Sequence, residues 1–191
     1  MANVSFPKGL FPIKPTQGTV QINYYRVNTG TAIYLHQPVV LGDDGKIIVA
    51  TCGSANAILG SAEIFLDTSL GAPKEANPYL ASSTEAYVGV ADDVNQRFML
   101  EEDTGGSVLA LTNVGNLADF TYQATTGNTT TGLSTAVLDR SGVQTSSGQF
   151  ILLSPVYSAD GDNDFGNYCK WIVRINNHQL NIITGARTAG I

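Results

Sequence analysis

The feature that most constrains this chain is a period of two. Thr19-Val20-Gln21-Ile22-Asn23-Tyr24-Tyr25-Arg26-Val27 alternates polar and apolar residues as a half-buried strand does. Ala32-Ile33-Tyr34-Leu35-His36, Ala57 to Phe65, Ala86 to Ala91, Arg97 to Glu101, Gln149 to Leu153 and Trp171 to Ile175 read the same way. Pro38-Val39-Val40-Leu41 runs into Gly42-Asp43-Asp44-Gly45 and on to Lys46-Ile47-Ile48-Val49-Ala50-Thr51, an Asp-Gly turn between apolar runs that marks a hairpin. The helical period of 3.6 is almost absent, and only the stretch from Leu109 to Ala118 has room for a turn or two. About ten short strands punctuated by Gly and Asn/Asp make the expected fold all-β, an antiparallel barrel or sandwich. In the last strand Trp171, Val173 and Ile175 fall on one face, and that face is expected to be buried.

The 191 residues suit one domain with an appendage. Residues 1–18 read as an extended N-terminal arm and residues 19–191 as a single β domain. Three prolines in Phe6-Pro7-Lys8-Gly9-Leu10-Phe11-Pro12-Ile13-Lys14-Pro15 forbid a helix and push their predecessors toward extended geometry. Phe6, Leu10, Phe11 and Ile13 are nonetheless too apolar for a solvated tail. These four are the candidate contacts with a partner or a sister protomer, the alternative being an arm folded back on its own domain. Residues 67–85, with two prolines, and residues 123–135, rich in Thr, Gly and Asn, read as long connections of the kind that carry function.

Charge narrows the function. Only 14% of residues are charged, against a usual quarter, and the net charge is −6. Charge depletion suits a surface that is buried against partners. No basic run exists to neutralise phosphates, so nucleic acid is not an expected partner. No apolar stretch approaches the roughly 20 residues that span a bilayer, so neither is a membrane. The first residues have neither a basic start nor an apolar core of a secretory signal. Cys52 and Cys169 therefore read as reduced, mostly buried thiols of a protein made in a cytoplasm.

Catalytic motifs are missing. His36 and His178 are the two histidines, and neither belongs to a metal-binding spacing. There is no Gly-x-Ser-x-Gly elbow, phosphate loop or dinucleotide fingerprint. Cys169 with His178 is the one imaginable nucleophile and base, and nothing local supports it. Asp160-Gly161-Asp162-Asn163-Asp164 opens like a calcium loop, but Phe165 occupies the position that needs Gly and Trp171 the one that needs Glu. A looser calcium site there is the alternative to a plain acidic loop. Asp92-Asp93 and Glu101-Glu102-Asp103 offer paired carboxylates without the aromatic groove that glycoside hydrolysis requires. The expectation is a non-enzyme with no catalytic residue, cofactor or metal.

Several segments resemble those of a known family. They are Tyr87-Val88-Gly89-Val90-Ala91-Asp92-Asp93, Gln96 to Asp103, Val114-Gly115-Asn116-Leu117-Ala118-Asp119, Gly127 to Ser134, Val137-Leu138-Asp139 and Lys170 to Gln179. With the Phe-Pro opening they are similar to tailed-bacteriophage head decoration, or cement, proteins, which stabilise the head. The resemblance covers most of the chain from residue 80 onward, plus the arm. It implies a structural protein on the outer surface of the virion capsid, bound to the major capsid protein and to copies of itself as a dimer or trimer. It implies no enzymatic residue and transfers no contact residue by position. The alternatives are a phage tail or receptor- and glycan-binding β module and, more remotely, a β-fold glycan hydrolase.

Overall fold

β-branched and aromatic residues at alternate positions form strands wherever turn residues let the chain reverse. The computed structural model describes residues 3–14, 18–28, 30–68, 78–157 and 163–181. Twelve strands lie among these: β1 (Phe11–Pro12), β2 (Asn23–Arg26), β3 (Pro38–Leu41), β4 (Ile47–Val49), β5 (Gly60–Leu66) and β6 (Tyr87–Ala91), then β7 (Arg97–Glu101), β8 (Leu117–Ala118), β9 (Phe120–Gly127), β10 (Ser134–Leu138), β11 (Phe150–Pro155) and β12 (Lys170–Ile175). The protein is all-β, and every pairing within its sheets is antiparallel. One five-stranded sheet has the order β1-β7-β12-β11-β8, a second the order β2-β6-β5-β3-β4, and β9 and β10 form a separate two-stranded ribbon. None of the three closes into a barrel.

Two clusters of buried side chains sit beneath these sheets. In the first, Phe98, Leu100, Phe150, Leu152, Trp171, Val173 and Ile175 of the first sheet meet Phe120, Ala136 and Leu138 of the ribbon. Trp171 is fully buried and shares the inner face with Val173 and Ile175, as the alternation requires. The second cluster lines the other sheet through Val39, Ile47, Leu59, Phe65, Val88 and Val90. Gly42–Gly45 closes the β3–β4 hairpin, with Gly45 at φ 71°, a backbone angle that glycine adopts without a steric cost.

Two segments depart from the sequence expectation. Residues 123–135 are not a long connection. Thr121 to Gly127 extends β9, and only residues 128–133 turn before β10. Threonine is β-branched and favours strands, so a Thr-rich run is ladder material as readily as loop material. The turn is tied by the Asn128 side chain, which accepts the N–H groups of Thr130 and Thr131 at 2.8 and 3.1 Å. Residues 32–36 form isolated bridges, not a strand, because His36 sits at φ 59° and turns the chain. The 109–118 stretch holds one 3-10 turn, Leu111–Asn113, in keeping with the helical turn or two expected there, and ends in β8. Of the 67–85 connection, residues 69–77 lie outside the described residues, as do residues 158–162 of the acidic loop.

Candidate functional site

The arm is built into its own domain. Gly9 has φ +71°, and a Cβ there would lie 2.3 Å from the His36 carbonyl oxygen, so the chain passes only as glycine. The Leu10 N–H donates to that same carbonyl at 2.7 Å, and the Ser61 hydroxyl donates to the Leu10 carbonyl at 2.6 Å. On the other side Phe11 and Pro12 pair with Met99 and Phe98, and the Ile13 N–H donates to the Arg97 carbonyl at 2.9 Å. The arm is thus a seam between β7 and the start of β5, where His36 and Ser61 lie. Glu101 anchors its start, accepting the Ser5 hydroxyl at 3.2 Å and the Phe6 N–H at 3.1 Å. Burial raises the Glu101 pKa, and these two donors and Lys170 act against the rise.

The arm residues therefore separate into two kinds. Leu10 is 0% exposed in the first core cluster, so the expected contact of Leu10 with a partner is corrected: it packs into its own chain. The reason is register. An edge strand beside β7 turns alternate side chains inward, and Leu10 falls on the inner side with Leu100. Phe6, at 53%, and Phe11, at 36%, keep apolar surface in solvent, and Ile13 is half-buried. Val4, which the sequence reading did not single out, is still more exposed than Phe6.

Beside the arm lies the outer face of the first sheet, and ladder register defines its rows. One row runs Arg97, Arg174, Ile151 and Leu117 across β7, β12, β11 and β8. The next runs Phe11, Met99, Ile172 and Ser154, and a third pairs Glu101 with Lys170. Met99, Ile172, Ile151 and Leu117 are each half-buried. A solvent-facing side of an antiparallel sheet ordinarily carries polar residues at these alternate positions. Here half of the positions are apolar, and the middle row ends at the exposed Phe11. A cleft of about 680 Å³ opens where the chain beyond the arm crosses it, lined by Ile13, Lys14, Gln21, Asn95, Arg97 and Ile172.

Behind the face, a buried polar group holds the end of β7 in place. Glu102 is fully buried and accepts the Trp171 indole N–H at 3.2 Å and an Arg140 N–H at 3.3 Å. Arg140 also donates to the Gly105 carbonyl at 2.7 Å and the Asn167 side chain at 3.1 Å. Desolvation pushes the Glu102 carboxyl up to about 7, outweighing the opposing pull of Trp171 and Arg140. No signal of spacing in the sequence pointed to this cluster, because its members meet only through the β7–β12 ladder and the turn after β10.

The groups weighed for chemistry are dispersed. Cys169 precedes β12 and His178 follows it, so the whole of that strand, roughly 17 Å long, lies between them in the chain. Burial raises the Cys169 pKa to about 11, the opposite of an activated thiolate, and lowers that of His178. His36 meets Glu63 at 3.1 Å and the Phe11 ring at 4.9 Å between centroids. Asp92 accepts the Asn23 amide at 2.8 Å and the Tyr25 hydroxyl, while Glu101 and Glu102 serve the arm and Arg140 at the far end of β7. The carboxylate pairs of the sequence are thus brought to opposite ends of one strand. Asn163, from the acidic loop, turns inward to donate to the carbonyls of Val156 and Lys170 at 2.8 and 3.0 Å. Among the described residues no group of three His, Cys, Asp or Glu side chains is placed to hold a metal ion.

Compared with protein-family models, with curated proteins and with solved structures, the chain matches none.

Proposed function

We propose that this chain is a head decoration protein of a tailed bacteriophage, which binds the outside of the major capsid protein shell in many copies and stabilises it. The observation that carries the reading is the apolar, arm-bordered outer face of the first sheet. Phe11, Met99 and Ile172 follow one row and Ile151 and Leu117 the next, so each of the five strands contributes an apolar side chain, with Phe6 and Val4 exposed at the arm. Covering these partly exposed side chains contributes a fraction of the roughly 1.5–3 kcal/mol that taking each from full exposure to full burial would give. Repeated over a shell under genome pressure, modest contacts become strong through multivalency. The segment resemblance and the depletion of charge favour the same reading.

A second surface suits contact between copies. Residues 104–118 contain no charged side chain, and within them Val108, Leu111 and Val114 are all exposed. Identical chains of net charge −6 repel one another, so an uncharged patch is where two copies approach at least cost. The test is to prepare heads of the encoding phage without this protein and to add the purified chain back. Saturable binding that raises the temperature at which the heads release DNA supports the reading. Failure to bind intact heads contradicts it.

A further inference from the structure

One row of the outer face breaks a rule of sheet pairing. Arg97 and Arg174 stand directly opposite each other on β7 and β12. Like charges at opposed positions are destabilising, whereas two rows away Glu101 faces Lys170 with complementary charge. Both arginines are exposed, and among the described residues neither makes an ion pair. Lys14 lines the cleft beside Arg97 and is likewise without one. Three of the ten Lys and Arg side chains thus gather, unneutralised, in a chain that carries 16 carboxylates. Asp93, the carboxylate in the same cleft, accepts the Asn95 N–H at 2.7 Å and pairs with neither cation.

We infer that the Arg97–Arg174 pair, with Lys14 beside it, is the anchor for a carboxylate presented by an apolar segment of a partner protein. The surroundings define the ligand. Arginines at opposed positions of neighbouring strands can both reach one ligand, and each guanidinium is a planar donor fork that matches a carboxylate. Ile13 and Ile172 in the cleft and Ile151 and Leu117 along the row flank them with apolar contact. A nucleic acid would need many cations, and the net charge of −6 repels a polyanion. An Asp or Glu set in an otherwise apolar strand or loop satisfies both the charge and the stripe. Such a residue removes the Arg–Arg repulsion on docking, so the contact favours the bound state over the free one.

The inference rests on the reading of this face as the capsid-binding surface, and two measurements separate the two claims. Binding of wild type and of the double variant Arg97→Gln/Arg174→Gln to heads lacking the protein is measured in low and high salt. Separately, NMR shifts of the Arg97 and Arg174 side-chain Nε–H groups are followed as an end-capped Val-Glu-Val peptide is added, with the capped Val-Gln-Val peptide as control. The inference expects head binding to weaken with salt, a loss of about tenfold or more in the double variant, and arginine shifts with the Glu peptide alone. Head binding that is equal for both proteins and insensitive to salt overturns the anchor and leaves the decoration reading standing. No head binding, but selective arginine shifts, overturns the decoration reading and keeps the anchor. Loss of both responses overturns both. Circular dichroism and unchanged thermal unfolding of the double variant establish that a loss of binding is not a loss of fold.

Discussion

Trp171 shows how much one side chain carries. Its ring fills the first cluster and its N–H satisfies the buried Glu102 carboxylate. Trp171→Ala is expected to cost about 3–5 kcal/mol in denaturant unfolding of the isolated protein. A cost below about 1 kcal/mol would mean that the ring is not in the core. Glu102 makes a pH-dependent prediction. Its folded-state pKa of about 7 lies above the ordinary value of 4.5, so the folded protein holds this proton more tightly than the unfolded chain. The associated stability is fully present below pH 4.5 and is lost as pH rises through about 7. The stability of wild type relative to Glu102→Gln should therefore fall across that window, by an amount on the order of 3 kcal/mol or less. A difference that grows with pH would show instead that the ion pair with Arg140 outweighs desolvation.

At the scale of elements, the arm divides sharply. Leu10→Ala removes a core side chain and should destabilise the isolated protein by about 2–5 kcal/mol. Phe6→Ala should leave unfolding within about 0.5 kcal/mol of wild type, as an exposed substitution does, while weakening attachment to heads. Equal effects of the two on unfolding would show that the arm does not alternate between core and solvent. Removing the whole arm is expected to destabilise the protein, since Leu10 and the β1–β7 ladder go with it. The strands containing Tyr87, Phe98, Phe150 and Trp171 were legible in the sequence because an apolar period of two has few other solutions. The β9–β10 ribbon was not, because Thr and Gly at Thr125-Thr126-Gly127 read as loop until tertiary contact decides; Gly127 itself is pressed against the Tyr34 ring. The inward turn of Leu10 was not legible either. It depends on the register of the arm against β7, which pairs residues nearly 90 positions apart.

The whole molecule presents three surfaces: the outer face of the first sheet with its apolar rows, the arginine pair within it, and the uncharged segment 104–118. The outer face was only partly legible. Arg97 and Met99 were visible as alternate residues of one strand, but their opposition to Arg174 and Ile172 comes from the ladder. The fold gives the face a rigid backing, since Trp171, Phe98 and Phe150 pack directly beneath it. The central claim is that this chain coats the outside of a phage head, and cryo-electron microscopy of the encoding phage particle tests it most directly. The expected map shows density for the two five-stranded sheets on the outer capsid surface, in many symmetry-related copies, with Phe6, Phe11 and the Met99–Ile172 row turned toward the shell. Density for the chain only in the tail, or a head surface bare of it, would contradict the account.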